Sequence, residues 1–406
     1  MVRTYLKILA IGLLPAVLGS CSGKDEGEPQ VPPTADDGII RVSREGMRLA
    51  PGIELYDSET DNSAPIIISQ FQENDLLYFS QMPQAGSPNF EDWTEETLNY
   101  MYVYKYVPDD EASWADGYNF AVVDGRMGFN WDNVLAVGPS GNAFKFFAFH
   151  FPVGQQPVWS VQTDQTGSNG DPFATDNFMK SDIMGAYHST SAIFTRMRFR
   201  LFHLMTYLMV KIYVPVYDGT SADYNDQSYS GFNPGAMKGA YVLNASTDFK
   251  IEWAAAKSSD SEAPLVQADE TKPKNNIKMY SHNIDSDTEK TIDVTPYYGG
   301  QVDGITDNQD RVRTYQFSVL FPTQNFTGDF LCFALTTPGG DTKYYYFRGE
   351  QIVGAEGTSF GLTQGTLQEL ELYLPRKTNQ TVVVGAKILP WKNAETDMTV
   401  NKQTND

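Results

Sequence analysis

RMRFRLFHLMTYLMVKIYVPV, residues 196–216, is the segment from which the fold class follows most directly. In residues 196–201 arginine alternates with apolar side chains, and residues 209–216 alternate again, which is the pattern of a β-strand with one apolar face. The middle segment, residues 202–208, is apolar on both sides and about the length of one strand buried on both faces. Because polar Gly/Ser/Asp-rich sequence precedes it, we interpret the stretch as the strand that opens a second β-domain.

Short β-branched and aromatic segments separated by turn residues occur on both sides of this stretch. Such spacing is typical of an antiparallel sandwich or barrel, and helical periodicity is hard to find. The predicted fold is all-β, with two antiparallel β-sandwich domains in tandem at residues 38–195 and 196–406. The predicted strands are Ile39–Arg44, Ile66–Phe71, Asp75–Phe79, Leu98–Val107, Tyr118–Val123, Ala143–Phe151, Gly239–Leu243, Phe249–Trp253, Thr314–Phe321, Phe330–Leu335, Tyr344–Arg348, Leu367–Leu374 and Thr381–Ile388.

The first 37 residues predict a lipid-anchored surface protein. Residues 1–20 have the basic start, the apolar run and the small residues of a signal peptide, and the apolar run is too short to span a bilayer. They lead into Leu-Gly-Ser-Cys, ending at Cys21, which resembles the lipobox that directs lipid attachment to a cysteine; the alternative is an ordinary signal peptide and a chance cysteine. Residues 21–37 predict a flexible tether. Its acidic start resembles signals that send some Gram-negative lipoproteins to the outer face of the cell.

Charge and cysteine content exclude several classes of partner and of scaffold. The chain has 406 residues and a net charge of −21, which argues against nucleic acid or an anionic membrane surface as a partner. Its two cysteines are Cys21 and Cys332, so a lipidated chain has one thiol left and no disulfide framework. Cys332 lies in an apolar run and is predicted to be a small buried hydrophobic residue.

The sequence provides no convincing catalytic or metal site. Gly-Thr-Ser-Phe-Gly, residues 357–361, has the letters of a nucleophile elbow, but all four histidines precede it, whereas the elbow needs a later histidine. No two histidines have zinc-ligand spacing, and His203 is interpreted as a core histidine. We therefore expect no enzyme, no metal and no cofactor. Trp93 and Trp114 lie in loop-like sequence, where exposed rings could stack on sugars or, alternatively, fill the ends of a sandwich.

Several segments together resemble the fimbrillins, lipoprotein precursors of the type V pili of Gram-negative anaerobes. Besides the lipobox at Cys21, they are Phe71–Tyr78, similar to "F-x-x-G-D-x-I-x-V"; Phe147–Pro152, similar to an aromatic strand ending in proline; Ser181–Ala186, similar to "S-D-L-L-x-A"; Phe199–Met205, similar to "L-x-F-x-H-x-L"; and Gly365–Leu374 with Ile388–Trp391, similar to the last strands. Asn74 stands where the family usually has glycine.

The resemblance implies two transthyretin-like β-sandwich domains and a non-catalytic pilus subunit that contributes to adhesion. In such pilins a surface protease cuts after an arginine, the first strand leaves, and a strand of a neighbouring subunit fills the groove. Arg41, Arg44 and Arg48 are the candidate cleavage sites here; the alternative is that they are solvent-facing charges of the strand. The implied partners are other pilus subunits, the outer membrane through the lipid on Cys21 before maturation, and a host or bacterial surface ligand.

The C-terminus departs from the fimbrillin pattern. Only residues 392–406 follow Trp391, and a long donor strand is not evident in them. A tip or accessory subunit is therefore considered beside a stalk subunit. The alternative from another class is a surface glycan-binding lipoprotein that uses loop aromatics such as Trp93 and Trp114 and does not polymerise.

Overall fold

The structure is a computed structural model of the chain. It describes residues 39–43, 75–81, 101–107, 117–126, 128–129, 135, 143–151, 159–167, 176–190, 198–199, 201–217, 219, 231–252, 264–282, 288–297, 309–349, 359–362, 364–374 and 385–390. Within these ranges, none of the helices is both long and apolar enough to cross a membrane. Residues 38–406 group into one compact unit.

Strands make up most of the described chain, which confirms the predicted all-β class. In chain order they are β1 (Ile39–Ser43), β2 (Leu76–Gln81), β3 (Tyr102–Val107), β4 (Gly117–Val122), β5 (Phe144–Phe151), β6 (Met184–Thr190), β7 (Arg198–Phe199), β8 (Phe202–His203), β9 (Thr206–Pro215), β10 (Met237–Ala245), β11 (Phe249–Glu252), β12 (Leu265–Ala268), β13 (Asn275–Lys278), β14 (Tyr280–Ser281), β15 (Glu289–Asp293), β16 (Gln309–Phe321), β17 (Gln324–Thr327), β18 (Asp329–Thr336), β19 (Thr342–Arg348), β20 (Ser359–Leu362), β21 (Thr366–Tyr373) and β22 (Gly385–Pro390). The described helices are the short α1 (Asp176–Lys180) and a 3-10 turn at Thr295–Tyr297.

The first eight strands form one sheet, in the order β7-β1-β4-β3-β2-β5-β6-β8. Neighbouring strands run antiparallel except β1 and β7, which are parallel. Strand β5 shows why this sheet is buried on both faces. Its phenylalanines Phe147 and Phe149 enter one core cluster, while Phe146 and Ala148 enter another.

Strand β9 is the centre of the second half of the chain. It pairs antiparallel with β16 over ten residue positions and parallel with β21, in a sheet ordered β14-β16-β9-β21-β22. Nine of its ten residues are buried, as expected for a strand with neighbours on both edges and packing on both faces. A four-stranded sheet, ordered β13-β10-β18-β19, packs its inner side chains into the same large core cluster.

The prediction that residues 196–216 form one strand opening the second half needs correction. Strands β7 and β8 belong to the sheet of the first half, and the strand of the second half starts only at Thr206. Between them lie Leu204 and Met205, both 0% exposed. The backbone N–H of Leu204 donates to the carbonyl of Ile183 at 3.0 Å, while the carbonyl of Met205 accepts from Gly365 at 3.0 Å. These bonds hold the two ends of the stretch in different sheets.

One hydrophobic cluster extends across both halves of the described chain. It includes Phe149 and Phe151 from β5, most of β9, and Phe249 from β11. Trp159 joins these parts, because its ring lies 5.0 Å from Phe149 and 5.7 Å from Phe249, measured between ring centroids. The division into tandem domains at 38–195 and 196–406, and their transthyretin-like layout, stay predictions.

Candidate functional site

The first strand is the segment in which, or just after which, the resemblance to fimbrillins implies cleavage. Arg41, one of the three candidate cleavage sites, is the central residue of β1. Arg44 follows the last residue of that strand, and Arg44, Arg48 and the predicted lipidation site Cys21 lie outside the described residues. The structure therefore brings one candidate arginine into a paired strand and describes no geometry for the other three residues.

Strand β1 fills a position between two other strands. All five of its residues pair antiparallel with β4, from Ile39 opposite Ala121 to Ser43 opposite Gly117. On its other edge it pairs with the two residues of β7, where Arg41 lies opposite Arg198. We call the edge of β4 that β1 covers the first-strand slot. Its length of five residues is close to that of an average strand.

The first-strand slot lies beside the core cluster that contains Phe146 and Ala148 of β5 and Phe120 of β4. Phe120 of β4 is 0% exposed and pairs with Ile40 of β1. The ring centroid of Phe120 lies 5.8 Å from that of Tyr106, on the strand at the opposite edge of β4. Strand β4 pairs with β3 from Asn119 to Val122, so its other edge keeps a partner whatever occupies the slot. A strand that leaves the slot would expose a row of backbone donors and acceptors beside buried apolar side chains.

Four segments with fimbrillin-like sequence meet in two buried Asp–His pairs. Asp75 Oδ2 lies 3.2 Å from His150 Nε2, and Asp182 Oδ1 lies 2.7 Å from His203 Nδ1. All four side chains are at most 5% exposed. Both histidines occupy register positions opposite Met184, one from β5 and one from β8. The motifs thus place their aspartates and histidines at one end of the first sheet, where each of these buried polar side chains has a partner.

The Asp182–His203 pair belongs to a tightly bonded corner. The hydroxyl of Ser181 donates to the carbonyl of Asn177 at 3.1 Å and accepts from the N–H of Gln162 at 3.1 Å. This fixes the turn after α1, from which Asp182 reaches β8. The interpretation of His203 as a core histidine is confirmed by its 5% exposure and its carboxylate partner.

The structure also shows where the segments that were compared with catalytic and metal-binding patterns lie. Ser359 is the first residue of β20, which pairs with β17, so a strand follows this serine where a nucleophile elbow needs a helix. Among the residues that the structure describes, no three His, Cys, Asp or Glu side chains are grouped so that they could hold a metal ion. Trp159 is half-buried and packs against the core, and Trp93 and Trp114 lie outside the described residues.

Sequence reasoning missed a cluster of exposed tyrosines. Tyr344 and Tyr346 on β19 are 58% and 54% exposed, while Phe347 beside them is buried. The signal was present in the alternation of Thr-Lys-Tyr-Tyr-Tyr-Phe-Arg, since neighbouring residues of a strand point to opposite faces. However, three consecutive tyrosines do not reveal by themselves which of them face the core.

Comparison with known proteins gives matches among solved structures only. No protein-family model and no curated protein matches the chain. Similar solved structures include a Bacteroides ovatus protein described as a cell adhesion protein, at 12% identity and a TM-score of 0.35, over 80% of this chain and 90% of that one. The tip fimbrial protein Mfa3 of Porphyromonas gingivalis is similar at 9% identity and a TM-score of 0.32, over 87% and 98%. The fimbrial anchor protein Mfa2 of the same organism is similar at 9% identity and a TM-score of 0.27, over 78% and 90%.

Proposed function

We propose that this chain is a non-catalytic fimbrial subunit of the cell surface that assembles by protease-triggered exchange of its first strand. The observation that carries the proposal is the position of β1, which is the first described strand, is paired along its whole length with β4, and contains Arg41. Removal of such a strand leaves an open edge beside a hydrophobic cluster, and an added strand satisfies both. The fimbrillin-like motifs in the sequence support the same role.

The pairing of Arg41 makes it a poor cleavage site as long as β1 is in place, so we expect cleavage after Arg44 or Arg48. A protease binds its substrate as an extended chain, which a residue paired on both edges cannot offer without local unfolding. Arg41 pairs with Asn119 on one side and with Arg198 on the other. A cut after Arg44 releases the whole of β1, whereas a cut after Arg41 leaves Val42 and Ser43 in the slot.

Limited trypsin digestion of the chain from Ser22 onward tests this order. We expect a product that begins at Glu45 or Leu49, read by N-terminal sequencing, and no early product that begins at Val42. Val42→Pro should speed the release of the first strand, because Val42 has neighbours on both edges and proline removes its ladder N–H. Loss of one such bond costs about 1–3 kcal/mol. A first strand that trypsin does not remove at all contradicts the proposal.

Refilling of the slot is tested with a peptide. After digestion, a synthetic peptide of residues 36–44 should bind the cleaved chain and suppress multimers that survive unheated SDS gels. The matched control is the same peptide with Val42→Pro, which should bind at least about tenfold more weakly, as expected for the loss of one ladder hydrogen bond. Cleaved chain that stays monomeric without peptide contradicts polymerisation and favours the tip, accessory or non-polymerising alternatives.

A lipid on Cys21 would anchor the precursor at the outer membrane, with the fimbrium as its location after processing. Lipid chains contribute roughly 0.8 kcal/mol per buried CH₂, so several chains on one cysteine suffice for a firm anchor. Cells fed with labelled palmitate should label the parent chain but not the Cys21→Ser variant. Equal labelling of the two would contradict lipidation at this cysteine.

A further inference from the structure

The outer face of the four-stranded sheet carries an aromatic cluster that strand exchange does not use. Tyr344 and Tyr346 lie two residues apart on β19, the last strand of that sheet among the described residues. Tyr345 and Phe347 pack toward the core, so the two exposed rings share the opposite face. Besides Leu135 and Leu265, they are the large apolar or aromatic side chains that stay exposed in the described chain.

Small residues form the floor between these rings and a third tyrosine. Across the strands, Tyr346 lies opposite Cys332, which lies opposite Tyr241 of β10. In the next row of cross-strand neighbours, Ala334 lies between Tyr344 and Gly239. The ring of Tyr241 covers Gly239. Cys332 and Ala334 are each 4% exposed. The result is a shallow surface framed by three phenol rings, which we call the tyrosine face.

The tyrosine face is uncharged although the chain carries a net charge of −21. Its flanking cations are paired: Lys278 Nζ lies 3.5 Å from Asp164 Oδ2, and Arg348 Nε lies 3.8 Å from Asp329 Oδ1. Burial raises the pKa of Tyr241, and the neighbouring Cys332 thiol raises that of Tyr346. These two phenols therefore stay protonated at neutral pH. The charge of the whole chain repels an anionic ligand, and no described residue of this face carries an unpaired charge that would attract a cationic one.

Hydroxyl groups surround the rings. Thr336 and Thr342 lie opposite each other at the end of the β18–β19 pair, with their Oγ1 atoms 3.5 Å apart. A protein partner needs a much larger surface than three rings, since a stable protein interface buries roughly 800 Å² on each side. The exposed aliphatic side chains Leu135 and Leu265 lie on none of the four strands of this sheet. Phenol rings and hydroxyls instead suit a ligand with apolar C–H faces and many hydroxyls.

We propose that the tyrosine face binds a neutral polysaccharide by stacking pyranose rings on Tyr344 and Tyr346. The apolar face of a sugar ring covers each aromatic ring, and the phenol and threonine hydroxyls donate to and accept from sugar hydroxyls. Two residues of a strand extend about 7 Å, and two strand intervals about 10 Å, so the face accommodates about a disaccharide. The inference does not rest on strand exchange, since β19 and β1 belong to different sheets.

Affinity electrophoresis of the chain from Ser22 onward tests the inference. Native gels contain one neutral polysaccharide each, namely dextran, mannan, xyloglucan or mixed-linkage β-glucan, or the anionic polygalacturonate. We expect at least one neutral polymer, and not polygalacturonate, to retard the chain. Its oligosaccharides are then titrated by calorimetry into the parent and the double variant Tyr344→Ala/Tyr346→Ala, which should bind at least about tenfold more weakly because two stacking contacts are lost.

Two further variants separate stacking from loss of structure. Tyr344→Phe/Tyr346→Phe keeps the rings and should stay within about threefold of the parent affinity, since only two exposed hydroxyls change. Leu265→Ala removes a comparably exposed side chain elsewhere and should bind as the parent does. Circular dichroism melts verify that the variants are folded.

Four results would overturn the inference. They are no retardation by any neutral polymer, preference for polygalacturonate, parent-like affinity of the double alanine variant, and a parent dimer in sedimentation velocity that the double alanine variant converts to monomer. The last result would assign the face to self-association. None of them affects cleavage of the first strand, so failure here is distinct from failure of the proposed function.

Discussion

At the scale of single residues, two buried glutamines help to keep the described strands in place, because each bonds a specific backbone segment. Gln165 is 0% exposed, and its amide both donates to the carbonyl of Leu320 at 2.6 Å and accepts from the N–H of that residue at 2.8 Å. Gln324 makes the same two-bond contact with the backbone of Ser246, at 2.8 and 3.0 Å. These side chains act as short pieces of strand, because they satisfy a backbone donor and acceptor that would otherwise be buried alone.

The Asp182–His203 pair should be important for stability. His203→Leu leaves the carboxylate of Asp182 buried, so we expect the free energy of unfolding to fall by about 3 kcal/mol, measured by urea denaturation. Asp182→Asn/His203→Leu removes the buried carboxylate as well as the imidazole and should cost less than the sum of the two single substitutions. Lys238→Ala, at an exposed lysine that bonds only the carbonyl of Gly235 in the described contacts, serves as the control. Equal, additive losses would show that the two side chains do not depend on each other.

Cys332 should make the fold sensitive to alkali. Burial raises the pKa of its thiol from 9.0 to about 11. Below about pH 9 the thiol is protonated in both the folded and the unfolded chain. Above about pH 9 the thiol ionises first in the unfolded chain, so the free energy of unfolding falls, and this contribution to stability is lost as the pH rises through about 11. We expect the parent to lose up to about 2 kcal/mol more than Cys332→Ala between about pH 8 and about pH 10.5, measured by urea titrations at each pH. Parallel pH profiles would contradict this prediction.

At the scale of elements, the first sheet depends on a close approach of two strands and the segment that follows β8. Gly185 on β6 lies opposite Phe149 of β5, and a Cβ at this glycine would come within 2.8 Å of the Phe149 ring and 3.0 Å of Leu204. Phe149 and Leu204 are both 0% exposed, so neither side chain has free space into which it could move. The glycine therefore sets how tightly β5, β6 and the segment after β8 pack.

Gly185→Ala should destabilise the chain by about 1–3 kcal/mol, because an overpacked core shifts rotamers or backbone. Thermal unfolding followed by circular dichroism measures the effect. Gly125→Ala is the control that separates a steric clash from backbone strain. Nothing lies within 4 Å of the Cβ position of Gly125, but its φ is +79°. Its cost should come from the left-handed conformation alone, about 1–2 kcal/mol. A Gly185→Ala variant with an unchanged melting curve would mean that β5 and β6 separate easily.

At the scale of the whole molecule, the two halves of the sequence share one core. The cluster that contains Phe149 and Phe151 also contains Phe249 and most of β9, and Trp159 packs between them. Backbone bonds add to this, since the N–H of Val161 donates to the carbonyl of Thr247 at 3.0 Å. Elements with so large a shared apolar surface are expected to unfold together.

We therefore predict a single calorimetric transition for the described sheets. Trp159→Ala should lower its midpoint, because the half-buried ring packs against three phenylalanines and its loss costs roughly half of the 3–5 kcal/mol typical of a fully buried aromatic side chain. Chains of residues 38–195 and 196–406, expressed separately, should each show weak near-UV circular dichroism, since β8 would be separated from β6. Two separate transitions in the intact chain, or two well-folded halves, would contradict the shared core and support independent domains.

The local pattern of the chain was sufficient for the all-β class, for the burial of His203 and Cys332, and for the position of the first strand. Alternation is a property of neighbouring residues, so a sequence reveals which segments are strands and which carry one or two apolar faces. The fimbrillin-like motifs were also visible in the sequence, but their pairing as Asp75–His150 and Asp182–His203 was not.

Three features depend on contacts between distant segments and appeared only in the tertiary structure. These are the division of residues 196–216 between two sheets, the parallel pairing of β1 with β7, and the exposure of Tyr344 and Tyr346. Each is decided by which strand becomes the neighbour of which, and by which face a second layer covers. Strand pairing and burial are long-range choices that the alternation of a single segment does not contain.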